Sequence, residues 1–371
     1  MQEISKIFPD RSKFINWVGV LMRHNFQKHI DFLLENACPS IRYLVNRDML
    51  KIPIDESIMK DLRSEILSQP NVQKLLAAQH PDGWFAKGIH GCDDMDGHIG
   101  GLLNLGFEPD SPYIQKAITA LTTPEIASQH KNWFIGGAAL DAEGRGGDHA
   151  IIAQILSWVG YSEDYPIMAE QIALAQEHLF AVLDYASPDD FSVRMKNYRC
   201  YKPNARFPGA NHISLLNATQ GWRIENNFET AKAAVRHGYE LMKDFDEYIT
   251  YRKPKEFGSG VIGPFNYNWQ ALKPIDKDGF RAILESSYNC LFGFWIGAVT
   301  GTPDWVRQST QTYELLAQLL DEDSFMDMIP DAALKGFRHI QGREPNWKKK
   351  ASVKCDVTFA MLNACWNVIN G

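Results

Sequence analysis

The chain has 371 residues, 45% of them hydrophobic and 22% charged, enough apolar material to bury a large core without disulfide staples. A formal net charge of −7 runs against the Lys and Arg excess from which nucleic-acid binding draws most of its affinity, so no nucleic-acid partner is expected. The six cysteines, Cys38, Cys92, Cys200, Cys290, Cys355 and Cys365, form no CxxC pair. Together with an N-terminus that lacks an export pattern, they predict a cytoplasmic protein, and the longest apolar run, 290–299, is too short for a transmembrane segment.

Apolar residues recur at intervals of three and four along most of the sequence, and alternating runs are short and rare, which predicts an all-α fold. In chain order, amphipathic outer helices are expected at about 13–35, 57–68, 111–122, 165–183, 228–245 and 305–320. Charges such as Lys116, Glu170, Glu177, Lys232 and Arg236 mark their water-facing sides. Between them fall inner helices with few charges past the first turn, at about 39–50, 96–105, 148–159, 211–219, 284–300 and 353–369. Several inner helices run into a glycine and a short polar loop, which places Gly106, Gly160, Gly221 and Gly301 as helix C-caps.

Six outer and six inner helices predict an (α/α)6 toroid, one domain over 1–371. The irregular spacing of the capping glycines fits a closed ring with insertions better than an open solenoid of equal units. The insertions, 123–147, 184–210, 246–283 and 321–352, precede inner helices. They therefore gather on the rim of the inner N-termini, where the functional site is expected.

At that rim the stretch 90–98 reads HGCDDMDGH and offers His90, Cys92, Asp93, Asp94, Asp96 and His98 within nine residues. Clustered carboxylates cannot all ionise cheaply, so one becomes a proton donor, and Asp94 or Asp96 is the candidate general acid with His98 or His149 orienting it. Helix capping is the competing role, since a carboxylate at a helix start accepts backbone N–H bonds and meets the positive end of the dipole. Asp148 stands as far before Gly160 as Asp94 does before Gly106, which puts both at equivalent inner N-termini. The same stretch mixes N, S and O donors, so zinc held by His90 and Cys92, with His149 or His212 approaching from neighbouring helices, is the cofactor reading. No cofactor is firmly implied otherwise.

Further along, Arg194, Lys196, Arg199, Lys202 and Arg206 lie interleaved with Tyr198, Tyr201 and Phe207 just before His212. Such a loop can hold an anionic substrate while its rings line an apolar or sugar-binding wall, or it can lie solvated over neighbouring helices. The glycine- and aromatic-rich stretch 257–270, which includes Trp269, suits a lid or a pocket wall. No nucleophile elbow or dinucleotide-binding glycine fingerprint is present.

The stretch LLAAQHPDGWF at 75–85, with Gln79, Gly83 and Trp84, resembles the glutamine-tryptophan repeat of the squalene-hopene cyclase and prenyltransferase superfamily. The resemblance implies α/α toroids around a central apolar cavity and an isoprenoid-like small-molecule substrate. Trp84, Tyr198, Arg199, Tyr201, Arg206, His212 and Trp269 are the candidate substrate contacts. The Asp-x-Asp-Asp acid motif of the class II cyclases is replaced here by Cys92-Asp93-Asp94-Met95-Asp96. Tyr288 stands where the protein prenyltransferases have an aspartate zinc ligand. A carbohydrate-active toroid using Asp94 and Asp148, and a non-catalytic ligand-binding toroid whose aspartates only cap helices, are the alternatives.

Overall fold

A computed structural model of the chain describes residues 26–91, 93–130, 137–195, 199–242, 249–250, 275–287, 289–300, 310–322 and 325–370. Cys92, Lys196, Tyr198, Trp269, Tyr288, Gly301 and the stretch 257–270 lie outside the described residues. The fold is mostly helical, as the periodicity predicts, with one small sheet among the described residues. It divides into two compact units, one comprising Met1–Met59, Pro274–Thr300 and Ser309–Gly371, the other Lys60–Lys273 and Gly301–Gln308.

The first unit holds α1 (Gln27–Asn36), α2 (Pro39–Leu44) with a π-helical turn at Val45–Met49, and the start of α3 (Ser57–Ser68). From the C-terminal part of the chain it takes α14 (Lys277–Leu284), α15 (Leu291–Thr300), α16 (Thr310–Asp321), α17 (Asp331–Gln341) and α18 (Lys350–Asn370). Of the described residues in the predicted inner helix at 284–300, only Leu284, the end of α14, and α15 at Leu291–Thr300 are helical. Asp276 caps α14 by accepting the Gly279 N–H at 2.9 Å, and the polar run after Leu284 breaks the chain before α15 starts. α18 is buried nearly all round, from Cys355 through Phe359 and Leu362 to Cys365, and packs on α1, α15 and α16. One acid interrupts that apolar surface. Asp356 is fully buried and accepts the Arg343 N–H (2.8 Å), the Glu344 N–H (3.0 Å) and the Trp347 indole N–H (2.6 Å). Burial, partly offset by those bonds and by the Arg343 charge, pushes its carboxyl up to about 6.

The second unit holds the rest of α3, α4 (Pro70–Ala77), α5 (Met95–Asn104), α6 (Pro112–Thr122), α7 (Pro124–Ala127), α8 (Gly137–Ala142), α9 (Asp148–Trp158) and α10 (Pro166–Phe180). Then come α11 (Pro188–Phe191), β1 (Ser192–Arg194), β2 (Arg199–Tyr201), α12 (Ala210–Ala218), α13 (Glu225–Met242) and β3 (Ile249–Thr250). β2 pairs antiparallel with β1 and parallel with β3. The inner and outer kinds are distinct here. α9 buries Ala150, Ile151, Ile152, Ala153, Ile155 and Leu156, nearly its whole circumference, and packs on α5, α8, α10 and α12. α10 buries Met168, Ile172, Ala175 and Leu179, a single stripe at helical spacing, and leaves Glu170 and Glu177 in water.

α5 and α9 end alike. In each the glycine sits at positive φ, +93° at Gly106 and +66° at Gly160, and two bonds close the motif. Gly106 N–H reaches Leu103 O and Phe107 N–H reaches Leu102 O. Gly160 N–H reaches Ser157 O and Tyr161 N–H reaches Leu156 O. Gly221 does not repeat this. α12 stops in an extended Thr219, and the Gln220 and Gly221 N–H groups bond instead to the Glu163 carboxylate at 2.7 and 2.8 Å.

Candidate functional site at the starts of two inner helices

The acids of the 90–98 stretch are brought together by the loop that enters α5. Asp94 takes the extended N-cap conformation, but its Oδ1 accepts the Gly88 N–H at 2.8 Å and leaves its own helix uncapped by the side chain. Asp96 Oδ1 accepts the Gly91 and Gly97 N–H groups at 2.9 and 2.7 Å, and Asp96 Oδ2 lies 2.6 Å from His90 Nδ1. Asp93 points to solvent. The outcome is an imidazole with 47% of its side chain exposed, held against a carboxylate that is itself fixed by backbone donors.

The hydrogen bond that the His90 ring donates to Asp96 raises the pKa of His90 above its ordinary value, opposed by partial burial and reinforced by the charges of Asp96, Asp94 and Asp148. The last of these acids comes from the next inner helix. Asp148 is the first residue of α9 and is buried, its carboxylate filling the space beside Gly137. α9 receives its cap from outside: Asp141 on α8 accepts the Gly147 and His149 N–H groups at 2.7 and 3.3 Å. That leaves the Asp148 side chain outside the capping role.

The two histidines expected to orient the acid are placed differently. His98 is buried, stacks on Phe85 (5.1 Å, 14°), and turns Nδ1 to the backbone oxygen of Asp94 at 2.9 Å, one helical turn back. His149 is 43% exposed with Nδ1 3.8 Å from the Glu170 carboxylate. The histidine of the acid cluster is therefore His90, which was expected as a metal ligand.

The candidate substrate contacts are mostly committed to the fold. Trp84 is fully buried and stacks face to face on His130 (4.4 Å, 5°). Gln79 ties that turn down, its amide donating to Gly83 O at 3.0 Å and to Tyr113 O at the start of α6 at 2.8 Å. Arg199 is buried in β2 and donates to the Asp189 carboxylate and, at 3.0 Å, to Ser192 Oγ. Arg206 pairs with Glu177 at 3.0 Å. His212 is buried at the start of α12, its Nδ1 accepting the Gly209 N–H at 3.1 Å. Burial, with the neighbouring His178, holds its pKa well below the ordinary value, so it is neutral at pH 7. With Arg199 and Arg206 already paired with acids, the loop is a poor diphosphate cradle.

Two features escaped the sequence pattern. Arg145, almost wholly buried, donates to Lys202 O (2.7 Å) and Pro203 O (2.8 Å), sits over the Tyr201 ring (5.5 Å) and so welds the 143–147 loop to the end of β2. A lone arginine in a glycine-rich loop carries no periodic signal. The second is the grouping of His80, Asp82 and His130, whose ligand atoms lie within 4.8 Å of one another. His130 sits in the irregular 123–147 insertion, so its distance in sequence hid the pairing.

No family model matches the sequence, and neither the curated proteins nor the solved structures searched give a match.

Proposed function

We propose that the chain is an enzyme of the terpene cyclase and prenyltransferase kind, an (α/α)6 toroid that acts on an isoprenoid-like apolar small molecule by general acid–base chemistry at the start of α5. The observation that carries the reading is the half-exposed His90 held 2.6 Å from the Asp96 carboxylate, with the charges of Asp94 and Asp148 also raising its pKa. The alternation of all-round-buried α9 with one-stripe α10 supports the toroid plan. The position of Gln79 between the turn and α6 fits the superfamily's repeat.

In this reading Asp96 holds His90 by Nδ1 in its protonated form, and the imidazolium is the proton donor. The charges of Asp94 and Asp148 add to the preference for that form. An imidazolium of raised pKa is too weak an acid to protonate an isolated double bond, but it suits an oxygen, in a leaving group or an epoxide. The chemistry therefore favours substrates activated at oxygen. A second reading, a carbohydrate-active enzyme, draws on the same observation, since Asp94 and Asp148 both act on His90. Paired glycosidase carboxylates stand roughly 5–9.5 Å apart.

A thermal-shift series on wild type, His90→Gln and Asp94→Asn/Asp96→Asn, with a polyprenyl diphosphate and a set of oligosaccharides, separates these readings. A ligand at 100 times its Kd adds about 2.7 kcal/mol of stability, a shift of a few degrees. Stabilisation of wild type by the prenyl ligand, with turnover lost in His90→Gln, is the expected result. Stabilisation by sugars alone replaces the isoprenoid reading with the second one, and unchanged turnover in His90→Gln removes the acid–base role.

A further inference from the structure

We propose that His80, Asp82 and His130 form a binding site for a first-row divalent metal ion, zinc being the reference case, which shares no residue with the His90 cluster. Two imidazoles and one carboxylate are a borderline-soft N2O set. Such a set suits zinc and its transition-metal neighbours, and poorly suits magnesium or calcium, which take oxygen ligands. The three donor atoms lie within 4.8 Å of one another. Tetrahedral ligands at ~2.0–2.1 Å from zinc stand about 3.3 Å apart, so the widest pair closes by roughly 1.5 Å, within reach of a side-chain rotation.

The surroundings hold two of the donors, Asp82 and His130, in place and anchor the backbone of the third. Asp82 accepts the Trp84 N–H with Oδ1 at 2.9 Å, which fixes the carboxylate plane and turns Oδ2 toward His130 Nε2 at 2.8 Å. His130 cannot swing freely, because its ring lies flat on the buried Trp84 indole. His80 opens the same tight turn, its carbonyl accepting the Gly83 N–H at 2.9 Å and its N–H bonding to Trp84 O at 2.8 Å, and its ring centroid is 5.8 Å from that of His130. Backbone-anchored carboxylates and stacked imidazoles are the supporting contacts that tune metal ligands. The donors also remain reachable, with the side chains of His130 and Asp82 14% and 33% exposed. Three protein ligands leave at least one position for water or a further ligand, the arrangement of a reactive rather than a closed structural site.

The competing account is an ordinary His130–Asp82 ion pair with His80 nearby by chance. Full-length protein stripped with chelator and titrated with zinc by calorimetry, and with cobalt(II) by visible absorption, decides between the two. One equivalent of zinc per chain is expected, with cobalt d–d bands and a rise in Tm on zinc addition. His80→Ala removes a donor whose side chain takes part in no hydrogen bond among the described residues, so it spares the fold. Asp82→Asn keeps the shape of the turn. Each is expected to weaken zinc at least about 10-fold with an unchanged far-UV circular dichroism spectrum. No binding up to about 1 mM zinc, or wild-type stoichiometry and affinity in both variants, overturns the site.

Discussion

Gly83 shows how much a single position of the fold demands. Its φ is +100°, and a Cβ there would lie 2.4 Å from the backbone oxygen of Lys116, which cannot move without shifting α6. Gly83→Ala therefore meets both a disfavoured backbone region and a backbone clash, and is expected to cost at least about 3 kcal/mol in chemical denaturation. His90 is the opposite case, a residue whose importance lies in its charge. Titrated by NMR, its ring should show a pKa above 6.5 that falls back toward the ordinary value in Asp96→Asn, because the first cause of the rise is the Asp96 hydrogen bond. A ring titrating at or below 6.5 in wild type would remove the basis for its role as an acid. At this scale the sequence announced the aspartates but not their use: Asp94 and Asp96 bond to amides five or six residues earlier, a loop geometry that no spacing rule encodes.

The inner helices α5 and α9 share one grammar, an acid at the start and a left-handed glycine at the end, and this much was legible from periodicity and punctuation. A methyl at Gly160 would meet nothing within 4 Å, so Gly160→Ala isolates the conformational cost of the cap, about 1–2 kcal/mol and less than at Gly83. Asp141→Ala removes the external cap of α9 and should cost roughly 0.5–2 kcal/mol in the same assay. Urea melts of the two variants beside Gly83→Ala check the order. The misreadings at this scale have physical causes. Gly221 looked like Gly106 in sequence, yet the Glu163 carboxylate offered its amide a better partner than a helix carbonyl. The strands went unseen because each spans only two or three residues, too short for an alternation to register.

Across the whole molecule, buried ionisable groups give two separate segments opposite responses to pH. In the second unit His178 is pushed below its ordinary pKa by burial, and His212 further below, so the unfolded chain takes up protons more readily than the fold. The contribution of these two histidines is full above about pH 6.5 and is lost as the pH falls through the depressed values, at up to about 1.4 kcal/mol per group per pH unit. Asp356 in the first unit, raised to about 6, works the other way. Its contribution is full below about pH 4 and is lost as the pH rises through 6. Hydrogen exchange at pH 5 and pH 7.5, corrected for intrinsic rates, should show segment 140–150 better protected at the higher pH and segment 343–356 better protected at the lower. Equal protection of each at both values contradicts the assignment. The mostly helical character was readable from composition and period alone. The division into two units was not, because the first is assembled from both ends of the chain, and contact between distant segments leaves no mark on local pattern.

The flat contact between Trp84 and His130 has an optical consequence. An excited indole transfers charge readily to an imidazolium or an open-shell ion only over a few ångströms, and this ring lies against one of the three donors of the proposed metal site. The emission difference between wild type and Trp84→Phe should therefore be quenched selectively by copper(II) or cobalt(II) and left largely intact by zinc. One tryptophan among ten would then report, by light alone, which ion occupies its neighbour.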